Sequence, residues 1–212
     1  MKEKKPLSVV SRFSLFLNTI GLVSNLTCLY AVHYVYHNPY ANGFGGHFQY
    51  LTILGLTWAT FAFAINIYRF FCPTSLTGLH DLVIHVAIPL EAIVSFLYWG
   101  MTYIDPELLI PKEVEPIPWV MDGALHLYPT VLIWMDFLLL NTTFRRAWRH
   151  TVYIYGFVFA YYVWSCYCQS RNGYYPYGFL ESFESSWTRF SFYFVSGTIA
   201  WLSYEAGKKN YI

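Results

Sequence analysis

"GGHFQYLTILGLTWATFAFAINIYRFF", residues 45–71, reads as a loop that runs into a membrane-spanning helix. From Leu51 to Phe71 only Arg69 is charged, and crossing the hydrocarbon layer takes about 20 mostly apolar residues. The glycines of "GFGG" at 43–46 come before a helix rather than after a strand, so they read as a turn and not as a phosphate loop. Runs of the same kind recur outward from this one. Together the spacing predicts spans near 12–35, 48–71, 80–104, 119–141, 150–169 and 187–206. The expectation is an all-α polytopic bundle of about six transmembrane helices, a single integral membrane domain over residues 1–212.

Composition supports this. The 212 residues are 56% hydrophobic and 12% charged, about half the charged fraction of a soluble domain. Aromatic residues make up 22%, with 20 Tyr, and their polar-tipped rings suit the headgroup layer. A net charge of +1 offers no footprint for nucleic acid. The opening "MKEKK" looks like the start of a signal peptide. The apolar run behind it is too long for one and has no clear small-residue cleavage site, so it reads as a retained span. The four cysteines match no zinc spacing and read as packing residues.

Orientation follows from lysine and arginine. Lys2, Lys4, Lys5, Arg12, Arg69, Arg145, Arg146, Arg149, Lys208 and Lys209 fall on one side of the predicted spans, leaving Lys112, Arg171 and Arg189 on the other. Both termini are therefore expected in the cytosol. The sequons at Asn25 and Asn141 then fall inside a span and at a cytosolic end, where neither is glycosylated.

Polar side chains at membrane depth are where function is sought, because each is costly without a partner. Thr52 enters the second predicted span and His126 the fourth, both from the non-cytosolic face and at similar depth. A threonine hydroxyl needs a base to act as a nucleophile. Neutral imidazole is suited to that task near neutral pH. Asp122, four residues before His126, shares its helix face and can fix the tautomer. Spacing alone also allows plainer roles: Thr52 bonded to its own helix, His126 as a helix contact, Asp122 at the interface. Other polar groups compete. Asp81 and His85 form an i,i+4 pair near the cytosolic end of the third span, Glu91 lies beside Pro89 nearer mid-membrane, and Asp136 is placed to meet Arg145 or Arg146. His33, His37 and His47 cluster at the outer end of the first span, but no set of ligands there makes a metal motif. Neither metal nor cofactor is expected.

Several segments resemble the androgen-induced protein family: "GGHFQYLT" (45–52), "HDLVIH" (80–85), "IPWVMDGALH" (117–126), "YPTVLIWMD" (128–136) and "YYPYGFLE" (174–181). The resemblance runs from about residue 40 to the end. It implies a multi-pass threonine hydrolase that cleaves fatty acid esters of hydroxy fatty acids. The nucleophile it implies is Thr52 and the histidine His126. The orienting role of Asp122 rests on this chain alone. The oxyanion donors are not fixed by the resemblance; Tyr128, Tyr175 and His47 are candidates. A membrane lipid ester is the expected substrate. The ending "KKNYI" is similar to a di-lysine retrieval signal, which makes the endoplasmic reticulum the expected residence, with the plasma membrane as the alternative. Two other readings stand beside the esterase: a non-enzymatic membrane scaffold or regulator, and a small transporter using Glu91, Asp81 and His85.

Overall fold

The computed structural model describes residues 9–36, 39–110, 117–140 and 146–207. His37, Lys112, Asn141, Arg145 and the lysines near both termini lie outside the described residues. Every regular element within them is helical, as the sequence predicts. The long helices are α1 (Val9–Tyr34), α2 (Leu51–Phe71), α3 (Thr77–Ile104), α6 (Trp148–Asn172) and α7 (Ser186–Ala206). Between α3 and α6 the chain forms two shorter helices, α4 (Trp119–His126) and α5 (Tyr128–Met135), and then a π-turn over Asp136–Leu140.

Helices α1, α2 and α3 are each long and apolar enough to cross a membrane, and α4 with α5 qualifies as a further span if the bent pair is one crossing. Helices α6 and α7, at 25 and 21 residues, have the length to cross but not the same apolarity, because hydroxyl and basic side chains interrupt them. Helix α3 is the hub. It packs against α1's partner α2 on one side and against α6 and α7 on the other, and its apolar window is 72% buried, against 39% for α2 and 28% for α1.

Two apolar layers meet on α3. Ala59, Ala62, Phe63 and Ile65 of α2 pack on Val83, Ile84, Ala87 and Ile88 of α3, with Ile133 and Phe137 closing one side. On the opposite face, Val86, Leu90, Ile93 and Val94 meet Ala200 of α7. Close approach of α1 to α2 depends on Gly21. A Cβ there would come within 2.6 Å of the Phe63 ring, which is fully buried and has nowhere to go.

The fourth predicted span is not straight. It bends by 45° between α4 and α5. Pro129 has no N–H for the carbonyl four residues earlier, and its ring crowds that carbonyl, so the α4 helix cannot continue through it. Leu127, at the junction, takes a non-helical conformation (φ −134°, ψ −51°).

Many polar groups inside the bundle find one another, as a low-dielectric interior favours. Asn25 is fully buried and donates from Nδ2 to the Leu56 carbonyl at 3.3 Å, a place no glycan could reach. Asp136 accepts from the Ser14 hydroxyl. Arg146 instead pairs with Glu205 at 3.0 Å. For Arg146 this corrects the sequence expectation, since the π-turn carries Asp136 to Ser14 of α1; Arg145, the other arginine expected beside it, lies outside the described residues.

Two glycine substitutions separate packing from propensity. Gly21→Ala forces the Phe63 ring and is expected to cost about 1–3 kcal/mol. Gly156, with open space where a Cβ would go, is expected to accept Ala with a neutral to stabilising effect of up to about 1 kcal/mol. Thermal unfolding of the purified protein in detergent, followed by tryptophan fluorescence, should move in opposite directions or fall only for Gly21→Ala.

Candidate functional site

Thr52 is the second residue of α2, where the first backbone N–H groups of a helix have no partner inside it. Its placement differs from that of the other threonines on the helix. Thr57 and Thr60 turn back and donate to the carbonyls of Ile53 and Leu56, each at 2.7 Å, the plain behaviour of a membrane hydroxyl. The corresponding carbonyl for Thr52 belongs to Phe48, in the 3-10 turn Gly46–Gln49, and it already accepts from the Trp164 indole N–H at 2.9 Å. The Thr52 side chain instead interacts with the Tyr177 hydroxyl, which lies 3.5 Å from the Thr52 backbone nitrogen.

The turn that delivers Thr52 needs its glycines. Gly45 and Gly46 have φ of 88° and 53°, and a Cβ on Gly45 would meet Cys168 Sγ at 2.9 Å. Asn172, at the end of α6, clamps this turn by accepting from the Phe44 N–H at 2.6 Å and donating to the Phe44 carbonyl at 3.0 Å. The turn reading of "GFGG" holds.

His126 is the last residue of α4, at the break. Its Nδ1 lies 2.8 Å from Asp122 Oδ1. An ionised carboxylate only accepts, so Nδ1 carries the proton and Nε2 keeps its lone pair. The ring lies flat on Tyr98 of α3, with centroids 3.4 Å apart and planes within 4°. The Tyr98 hydroxyl also binds Asp122. The His126 carbonyl, at the break, accepts from the Ser95 hydroxyl. Ser95 in turn sits 2.7 Å from Thr130 Oγ1, which donates to the Glu91 carbonyl at 2.8 Å. The histidine is thus fixed by its ring, its Nδ1 and its own backbone.

Thr52 and His126 line the same cavity, about 790 Å³ in volume and walled mainly by apolar side chains. This is the size range of small-molecule sites. Of the other residues singled out from sequence, His47 lines the cavity and Asp122 touches it only through His126. Burial lowers the His47 imidazole below its ordinary range, and His33 beside it acts in the same direction, so His47 is neutral at pH 7. Tyr128 and Tyr175 are not among the cavity residues. Tyr128 packs on Gly123, where a Cβ would fall 2.8 Å from its ring. Tyr175 lies under the Arg189 guanidinium, 5.1 Å from ring centroid to carbon. The tyrosine that reaches Thr52 from the "YYPYGFLE" segment is Tyr177, two residues further on. Burial raises its phenol above the ordinary range, with the bonds to Thr52 offsetting part of that rise, so it stays a neutral donor. Sequence reasoning missed Tyr177 and Tyr98; periodicity carried no signal for the first, which sits in a loop.

Glu91, Asp81 and His85 stand apart from the cavity. Glu91 is 1% exposed, with Oε1 3.0 Å from where a Cβ on Gly55 would be. Asp81 accepts from Arg149 Nε at 2.6 Å and from His150 Nε2 at 3.0 Å, and His150 Nδ1 lies 2.7 Å from the Tyr204 hydroxyl. Asp81, His85 and His150 bring their ligand atoms within 4.8 Å of one another. Yet the two imidazoles are stacked face to face, 3.5 Å apart and 9° from parallel, so their in-plane lone pairs do not converge on one ion. Arg149 adds a positive charge beside them.

The sequence profile of the FAR-17a/AIG1-like protein family matches residues 13–211. The chain belongs to this family. It is similar to the UPF0641 membrane protein of Schizosaccharomyces pombe, 28% identical over 200 residues that cover 92% of this chain and 88% of that protein. It is also similar to the UPF0641 membrane protein of Saccharomyces cerevisiae, 26% identical over 216 residues, 92% and 89% of the two chains. No solved structure matches. In this FAR-17a/AIG1-like membrane protein, the segments that suggested the family are the ones that supply Thr52, Asp122, His126 and Tyr177.

Removing the Ser95 hydroxyl should leave the His126 carbonyl buried and unpaired. Ser95→Ala is expected to destabilise by about 1–3 kcal/mol, whereas Ser170→Ala, which removes an exposed local bond, should leave the melting temperature unchanged. Thermal unfolding of the two variants side by side is the check.

Proposed function

We propose that this FAR-17a/AIG1-like protein is an intramembrane lipid esterase, with Thr52 as nucleophile and His126 as base. It would act on fatty acid esters of hydroxy fatty acids or similar lipid esters. The observation that carries the reading is that Thr52 and a carboxylate-oriented His126 line one apolar cavity. The Thr52 hydroxyl is not turned back onto its own helix as those of Thr57 and Thr60 are, and the local contacts of the His126 ring, to the carbonyl and carboxylate of Asp122, occupy Nδ1 alone.

In this reading His126 Nε2 takes the Thr52 proton as Oγ1 attacks the ester carbonyl carbon. Asp122 stabilises the imidazolium that forms. The carbon–oxygen ester bond breaks, the leaving alcohol takes the proton from His126, and an acyl-threonine remains. Water, deprotonated by the same histidine, then releases the fatty acid. The oxyanion is met by the Tyr177 hydroxyl and by the amides at the start of α2, of which Thr52 N–H points at that hydroxyl, and the helix macrodipole also favours negative charge there. Tyr98 holds the imidazole plane. No metal or cofactor is needed.

The proposed topology has α6 and α7 as the fifth and sixth crossings, both termini in the cytosol, and the Thr52 end of the bundle toward the lumen of the endoplasmic reticulum.

A fluorophosphonate probe on the purified protein tests class and residue together. Wild type and Thr52→Ser are expected to label, and Thr52→Ala not to, with folding intact. His126→Ala should slow labelling by about 10²–10⁴-fold, and Tyr177→Phe by about 10²–10³-fold. Absence of labelling in folded wild type would favour a scaffold or regulator instead. Flux of a solute that survives Thr52→Ala would favour a transporter.

A further inference from the structure

The cavity is deeper than the site needs. Its lining on α3 runs from Met101 down to Val86, about 22 Å at the helical rise of 1.5 Å per residue. Thr52 is near one end of that length. A Cβ on Gly55, three residues past Thr52, would lie 3.3 Å from Val94, which sets the level of the threonine against α3. From that contact the antiparallel α3 continues for eight residues to Val86, about 12 Å, and the three residues from Gly55 back to Thr52 add about 4.5 Å, so the space below the hydroxyl is about 16 Å deep.

Three helices agree on where that space ends. Val86 is the deepest lining residue on α3, Ile154 on α6 and Ala200 on α7, and all three are buried. Directly beyond Val86 on α3 is His85, with Asp81 about a turn further, and one turn beyond Ile154 and Ala200 are His150 and Tyr204. These are locked together by the stacked imidazoles and the Asp81–His150–Tyr204 hydrogen bonds. His150 and Tyr204 are 0% and 1% exposed. An alkyl chain advancing past Val86 would have to break this polar network and leave its groups unpaired, at a cost no methylene contact offsets.

We propose that this shaft is a chain-length gauge: it takes one linear acyl chain, with the carbonyl at Thr52 and the methyl end against Val86, Ile154 and Ala200. The inference rests on the esterase reading for the position of the carbonyl. A fully extended chain advances about 1.3 Å per carbon, the projection of a C–C bond of about 1.5 Å. The shaft therefore holds roughly a dozen carbons beyond the carbonyl. Ala200 and Ile154 are the specificity-determining positions. The Asp81–His85–His150–Tyr204 network has a positioning role as the stop beneath them.

The test uses the full chain in nanodiscs and two readouts. Hydrolysis is measured on p-nitrophenyl esters of rising acyl length. Binding is measured separately on Thr52→Ala protein, as the rise in melting temperature with linear methyl ketones of about 8 to 20 carbons, since a ligand that binds only the folded state stabilises it. Both profiles should peak and then fall sharply once the shaft is full. Ala200→Leu should move the peak shorter by about two carbons and Ile154→Ala longer by about two. The enlarging variant keeps the test intact if the crowding one does not fold. A profile that keeps rising with chain length, or one that neither variant moves, overturns the gauge. A ketone peak that the variants shift, in a wild type that cleaves no ester, retains the gauge and rejects the esterase.

Discussion

Much of this structure turns on one missing hydrogen. Pro129 cannot donate into α4, so the helix stops at His126 and resumes, bent, at Tyr128. A straight span would leave the His126 carbonyl inside its own ladder and the ring free to rotate with the helix. The break exposes the carbonyl to Ser95 of α3 and lets the ring settle on Tyr98, two contacts from one neighbouring helix. Backbone irregularity at membrane depth is tolerated where protein re-satisfies the freed groups, and the hydroxyl pair of Ser95 and Thr130 serves that end.

The same rule sorts much of the rest of the interior. Polar side chains gather in a few places where they find partners: Ser14, Asn18, Asn66 and Asp136 between α1, α2 and the π-turn, and Asp81 with Arg149 and His150 across α3 and α6; the carboxyl oxygens of buried Glu91 are an exception. Between these knots the walls are apolar, and the cavity occupies that apolar volume. The charged network at the N-terminal end of α3 is thus both a clasp for α6 and α7 and a boundary for what can lie in the bundle. A cation drawn to Asp81 would compete with a guanidinium already bound there.

At the opposite end, two loops far apart in sequence meet over Thr52. The Gly-rich turn at 43–46 is clamped by Asn172, and the aromatic loop after α6 sends Tyr177 back to α2, edge-on to Tyr50 at 5.7 Å. Arg189 holds the far side of that loop through the Phe183 carbonyl at 2.5 Å and the Tyr175 ring. An aromatic loop of this composition would suit a bilayer interface by itself. The hydrogen bond to Thr52 gives one of its tyrosines a second task.

The amino-acid sequence by itself determined the class of the protein. Long apolar runs with few charges leave a helix as the local way to satisfy the backbone in lipid, so the helices and most of their limits could be read from residues 9 to 207. Thr52 and His126 could be named from motif order, and Asp122 from an i,i+4 spacing that any α-helix enforces. What lay beyond reach was contact between segments distant in the chain. Spacing pointed to Tyr128 and Tyr175 because they lie near the right depth, but which tyrosine reaches Thr52 depends on how a loop folds over another helix 125 residues away. Asp136 met Ser14, and Arg146 met Glu205, for the same reason. Period and composition fix what a helix can bury; only the packing of α3 against α2, α6 and α7 fixes which side chains share a cavity, because that follows from shape and pairing across helices and not from position along one.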